Sequence, residues 1–126
     1  MIRSILSIGQ SMNYLLNTVL SDSYELITVE DVYLGMHLLR RKKDIDAVIV
    51  DIDYQNKEAN DFILHLHSSK LYNQRIFALV SPHNFKVNEP LLRSCVHAYF
   101  IKPFNPVALV EAIEKTHTLI LSPSLS

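Results

Sequence analysis

Apolar residues occur in two alternating kinds of run along this chain: short unbroken stretches, and longer ones in which they recur every three or four positions. The least interrupted is Ala47-Val48-Ile49-Val50, which runs straight into Asp51. A run without apolar/polar alternation reads as a strand buried on both faces, the habit of a central strand in a parallel sheet. Ile2 to Ile8, stopped by Gly9, predicts a first strand and Tyr24 to Val29 a second. Arg75 to Val80 is a nearly all-apolar fourth, and Ala98 to Ile101 a short fifth.

Between these strands the spacing turns helical. Met12, Leu15, Leu16, Val19 and Leu20 share one face with Asn13, Asn17 and Thr18 opposite, up to the turn cluster Ser21-Asp22-Ser23. Glu30-Asp31 opens a second helix through Leu34, His37, Leu38 and Arg41, with Asp31 as its N-cap. After a polar loop from Tyr54 to Asn60, a third begins near Asn60 or Asp61 with Phe62, Ile63 and Leu66 inward. Ser81-Pro82 closes the fourth strand, and a less regular helix spans about Asn88 to Cys95. The last helix has the clearest start: Asn105 caps it, Pro106 fits its first position, and Phe104 staples onto Leu109. Val107, Val110 and Ile113 mark its expected buried stripe.

Strand and helix thus alternate five times. With right-handed crossovers this predicts an α/β fold, a doubly wound parallel sheet with helices on both faces and the third and fourth strands interior. We expect one domain over residues 1–120 and a frayed tail over 121–126, where Ser122-Pro123-Ser124 offers nothing to pack.

Composition narrows the function classes. At 126 residues and 48% apolar, the chain can bury a core and is not disordered. A net charge of -1 gives no electrostatic case for nucleic acid. Its one basic run, Arg40-Arg41-Lys42-Lys43, reads as the cap of a helix C-terminus and a solvated loop. Cys95 is the sole cysteine, so neither an intrachain disulfide nor a multi-cysteine metal site is available, and its apolar neighbours predict a buried, inert thiol. No stretch reaches the length of a membrane span and Met1-Ile2-Arg3-Ser4 opens no secretory segment, which predicts a soluble, cytoplasmic protein. Two glycines, Gly9 and Gly35, do not make a phosphate loop. His65 and His67 fall on different helix faces, and the other histidines are scattered.

The candidate chemistry sits at strand ends. Gly9-Gln10, Asp51, Ser81 and Lys102 follow or end the first, third, fourth and fifth strands, and in a parallel sheet these open on one rim, where such folds bind ligands. A carboxylate, a hydroxyl and an ammonium there suit a phosphoryl group, with Asp51 as nucleophile and Ser81 and Lys102 as partners for its oxygens.

Asp51 after Ala-Val-Ile-Val, Ser81 after Phe77-Ala78-Leu79-Val80, and Tyr99-Phe100-Ile101-Lys102-Pro103-Phe104 together resemble a response-regulator receiver domain, from Met1 to about His117. The resemblance implies a flavodoxin-like (βα)5 fold with strand order 2-1-3-4-5. It also implies a single-domain receiver in two-component signalling, a signalling protein and not an enzyme. Asp51 matches the phosphoacceptor for a histidine kinase or phosphotransfer protein, and Lys102 the lysine that pairs with it. Ser81 and Tyr99 match the switch residues, and the Lys102-Pro103 bond would be cis. Output would pass through the fourth helix, last strand and last helix to a downstream protein or a homodimer partner. Two departures bear on the metal. The family's acidic pair after the first strand reads Gly9-Gln10 here, leaving Asp51, Asp53 and Gln10 for a weak or absent Mg2+ site. The loop after Asp51 has Gln55 and Ala59 where the family has Pro and Gly. Two alternatives stay open: a pseudo-receiver that signals by protein contact alone, and a flavodoxin-like small-molecule binder, for which no flavin or phosphate loop is present.

Overall fold

The computed structural model describes residues 3–9, 13–69 and 71–121, with side chains to residue 115 in the last helix. Five strands and five helices alternate: β1 (Arg3–Ile8), α1 (Asn13–Leu20), β2 (Tyr24–Val29), α2 (Val32–Arg41), β3 (Ile45–Asp51), α3 (Asn56–Ser68), β4 (Arg75–Val80), α4 (Pro82–Cys95), β5 (Ala98–Ile101) and α5 (Pro106–Leu121). The strands form one sheet in the order β2-β1-β3-β4-β5, every adjacent pair parallel. β3 and β4 are interior because their unbroken apolar runs need cover on both faces.

Side chains alternate along each strand and so sort the core into two layers. Leu6, Val48, Val50, Ile76 and Ala78 meet Val32 and Leu39 of α2, Phe62, Ile63 and Leu66 of α3, and Leu92 of α4. Ile5, Ala47, Ile49, Phe77 and Leu79 turn the other way, onto Leu16 and Leu20 of α1 and Leu109 and Ile113 of α5. The two expected caps are made: Asp31 Oδ1 accepts from Leu34 N at 2.9 Å, and Asn105 Oδ1 from Val107 N at 2.9 Å.

Three helices, α3, α4 and α5, depart from the sequence expectation. α3 begins at Asn56, not at Asn60 or Asp61. Gln55 turns the chain through the left-handed region at φ 54°, and Lys57 and Asp61 pair at 3.0 Å along the solvent side of the new helix. The polar stretch is therefore the exposed opening of a helix. α4 likewise starts at Pro82, where a missing N–H costs nothing, well before Asn88. α2 runs to Arg41 as expected and buries Val32, Gly35 and Leu39. In α5 Val107 is exposed, and Leu109 and Ile113 carry the buried stripe. Cys95 is only partly buried, packed against the layer of α2, α3 and α4. Ser11 and Met12 of the expected first helix, and residues 122–126 of the expected tail, lie outside the described residues. Among those described, no helix is long and apolar enough to cross a membrane.

β4 opens on a buried charge. Arg75 pairs with Asp46, donates to the Ile113 carbonyl and lies 5.7 Å from the Phe77 ring centre. Asp46→Ala is expected to destabilise the domain by about 3 kcal/mol, because it leaves a buried guanidinium without its counter-charge. Urea unfolding reads this as a lower midpoint at unchanged slope. A loss below about 1 kcal/mol would mean that the Ile113 carbonyl satisfies Arg75 by itself.

Candidate functional site

Register brings the strand ends to one rim. Asp51 pairs with Leu79 and Val80 with Ile101. The ladder continues one residue past the strands, with Ile52 N donating to Leu79 O at 2.9 Å and Lys102 N to Val80 O at 2.8 Å. These bonds fix the backbone on either side of the rim and aim two side chains that are 51 positions apart at each other. Lys102 Nζ donates to Asp51 Oδ1 at 2.8 Å and Oδ2 at 2.9 Å. Asp51 is 5% exposed, so the pair is screened little by solvent. The Lys102-Pro103 bond is cis.

Ser81 reaches the same rim but bonds the second carboxylate. Asp53 Oδ1 accepts from Ser81 N at 3.0 Å, Ser81 Oγ at 2.9 Å and Asn84 Nδ2 at 2.8 Å, and Lys102 Nζ lies 3.0 Å from Oδ2. The Ser81 hydroxyl also meets His83 Nδ1 at 3.1 Å. Burial pushes the Asp53 carboxyl up, but hydrogen bonds from Asn84, the Ser81 backbone, Lys102 and the Ser81 hydroxyl outweigh it and hold it at about 2. A carboxyl depressed on folding contributes stability that is present above its unfolded value, near pH 4, and lost as pH falls through 2. The expected contribution is about 2 kcal/mol. Urea unfolding at pH 5 and pH 2 should show that loss in the wild type, and Asp53→Asn should flatten the difference by a similar amount.

A polar seam behind Asp53 was not anticipated from sequence. Asn88, 2% exposed, donates from Nδ2 to Asn84 O at 2.7 Å and accepts at Oδ1 from Asn60 Nδ2 at 2.6 Å. Asn60 in turn reaches Asn56 Oδ1 at 3.4 Å, and Asn56 Nδ2 donates to Ile52 O at 3.3 Å. The grip on Asp53 thus extends from α4 across to α3. The signal was there as two asparagine pairs at i,i+4, Asn56/Asn60 and Asn84/Asn88, a spacing that stacks side chains on one helix face.

Tyr99 lies on β5. It is half-buried against the layer of α2, α3 and α4, with its ring 5.3 Å from that of Phe85 on α4. His97 serves the backbone: its Nδ1 accepts from Ile76 N at 3.0 Å. Gln10 lies outside the described residues.

Among the described residues, the two carboxylates of this rim are already engaged by protein donors. Both oxygens of Asp51 face Lys102, and Asp53 is held by Ser81, Asn84 and the same ammonium. Gly9 leaves no space for a further acid. Its φ is +119°, and a Cβ there would come within 2.7 Å of Asp51 Cβ. Among the described residues no group of three or more His, Cys, Asp or Glu side chains is placed to hold a metal ion.

No protein-family profile matches the sequence, and no curated protein is significantly similar to it. Solved structures are. A response regulator receiver domain protein from Clostridium thermocellum superposes with a TM-score of 0.80 at 18% identity, over 95% of this chain and 99% of that one. A response regulator receiver modulated diguanylate cyclase from Pelobacter carbinolicus gives 0.75 at 26% identity, over 99% and 100%. A response regulator from Thermotoga maritima gives 0.71 at 20%, over 91% and 97%. With its strand order, its cis Lys102-Pro103 bond and the convergence of Asp51, Ser81 and Lys102 on one rim, this chain has the fold of a response-regulator receiver domain.

Proposed function

We propose that the chain is a signal receiver in a phosphorelay. It takes a phosphoryl group on Asp51 from a histidine kinase or phosphotransfer protein and passes the change on through α4, β5 and α5. The observation that carries this reading is the Lys102 ammonium within 2.9 Å of both oxygens of a nearly buried carboxylate. An ammonium held there offsets charge as a carboxylate oxygen attacks phosphorus. The new P–O bond forms as the donor's P–N bond breaks, and the departing imidazole nitrogen takes a proton from solvent. The phosphoryl group stays on the chain as an acyl phosphate, so the domain carries a signal and turns over no metabolite. Exposed Val87, Ile101 and Val107 on α4, β5 and α5 suit a protein reader of that face, a downstream target or a second copy.

The test is incubation with acetyl phosphate, with and without Mg2+, followed by peptide mass mapping. The expected result is one phosphoryl group on Asp51, absent in Asp51→Asn. Because Lys102 spans the two carboxylates, added Mg2+ should raise labelling only weakly. A second reading, a module that signals by contact alone, is favoured by the closed space at Gly9. An unlabelled wild-type chain would select it.

A further inference from the structure

We propose that the carboxylate of Asp53 is a built-in anion that holds the switch. It binds Ser81, the side chain that would otherwise turn to a phosphorylated Asp51, shares Lys102 with Asp51, and with Asn84 pins the first turn of α4 in the unmodified chain. Ser81 gives both its hydroxyl and its backbone N–H to one Asp53 oxygen, at 2.9 and 3.0 Å. Asn84, three residues on, adds a third donor at 2.8 Å. Lys102 completes the set at 3.0 Å from the other oxygen. A hydroxyl, a backbone N–H, an amide and an ammonium converging on one oxyanion form the donor set that a bound phosphoryl group requires. Here a side chain two positions past Asp51 fills it.

The grip has depth. Asn84 passes its carbonyl to Asn88, which is almost fully buried, and Asn88 engages Asn60 of α3. The backbone turn above it is closed by Asn84 N and Phe85 N on Ser81 O, at 3.2 and 3.0 Å. Phe85 carries the ring that packs on Tyr99. One carboxylate therefore sets the position of Ser81, the first turn of α4 and, through Phe85, the packing of Tyr99. Phosphorylation, on the reading above, must draw Ser81 away from Asp53 and loosen the bridge that Lys102 makes between Asp53 and Asp51, and Asp53 regulates that exchange. This comparison with a phosphoryl group rests on Asp51 as phosphoacceptor; the grip on α4 does not.

Amide hydrogen exchange on the unmodified protein tests the grip. Asp53→Ala removes the acceptor, and Asp53→Asn keeps the shape while removing the charge, which guards against a variant that fails to fold. In both, amides 84, 85 and 88 should exchange about tenfold faster than in the wild type, the effect of losing one or two charge-assisted hydrogen bonds, while β3 stays protected. Unchanged exchange at those amides in folded variants would overturn the proposal. Labelling by acetyl phosphate adds the second arm: Asp51 should label about tenfold faster in Asp53→Asn, where Lys102 and Ser81 are less tightly held. Equal labelling in wild type and variant would overturn the regulatory part. If no chain is labelled, the phosphoacceptor reading fails while the exchange arm still decides whether Asp53 holds α4.

Discussion

Lys102→Met is expected to lower the stability of the domain by about 3–5 kcal/mol, because it strips the cation from two carboxylates at once. Asp51 is 5% exposed, and its side chain lies two residues from that of Asp53, with the ammonium bonded to both. Methionine keeps most of the aliphatic length, so the loss is one of charge and hydrogen bonds more than of packing. A double-mutant cycle separates the partners. In an Asp51→Asn background the same substitution should cost about 2 kcal/mol less, since one of the two charges has gone. An additive cycle would mean that Lys102 acts through Asp53 alone. The same variant should fail to label on Asp51, because the charge that offsets the developing transition state is missing. Denaturant unfolding and acetyl phosphate labelling read the two effects separately.

Much of this arrangement was legible because backbone hydrogen bonding leaves strands few options. Tyr24–Val29, Arg75–Val80 and Ala98–Ile101 are strands over the residues their apolar runs predict. Asp51, Ser81 and Lys102 meet at one rim because a parallel sheet sends every strand's carboxyl end the same way. Helix openings were harder to read. Asn56 to Asn60 and Asn84 to Asn88 place asparagines where a buried stripe is expected to be apolar, so periodicity of hydrophobic residues passes over them. The burial of Asn88 is made tolerable by the Asn60 amide across the α3–α4 seam and by the Asn84 carbonyl within α4. The role of Asp53 was invisible for another reason. Its neighbours in sequence say nothing of Ser81 and Asn84, which arrive from 28 and 31 positions away, and only the register of β3 against β4 joins them. In α5 the helix was placed correctly and Ile113 of its expected stripe is buried, but Val107 is exposed and Leu109 takes its place in the core. A window rich in Leu and Val on several sides does not fix the phase, and contact with the sheet does.

Restoring an acid at position 9 should not restore a metal site. Gly9→Asp places a side chain on a residue whose φ of +119° is nearly closed to any residue but glycine. Its Cβ would press into Asp51 Cβ at 2.7 Å, a contact with a side chain too short and too buried to swing aside. Backbone strain of this kind costs about 1–3 kcal/mol, and the displacement of Asp51 adds to it. A total near 4 kcal/mol is therefore expected for both Gly9→Asp and Gly9→Ala, since the clash comes from the Cβ they share. The carboxylate of Gly9→Asp would in addition crowd Asp51 with like charge, which makes it the less stable of the two. Isothermal titration with Mg2+ should show no gain in binding for Gly9→Asp over the wild type, and unfolding should rank wild type above Gly9→Ala above Gly9→Asp. A folded Gly9→Asp chain that binds Mg2+ tightly would mean that β1 can swing its end away from Asp51, and that Lys102 yields its place between the carboxylates to a metal ion.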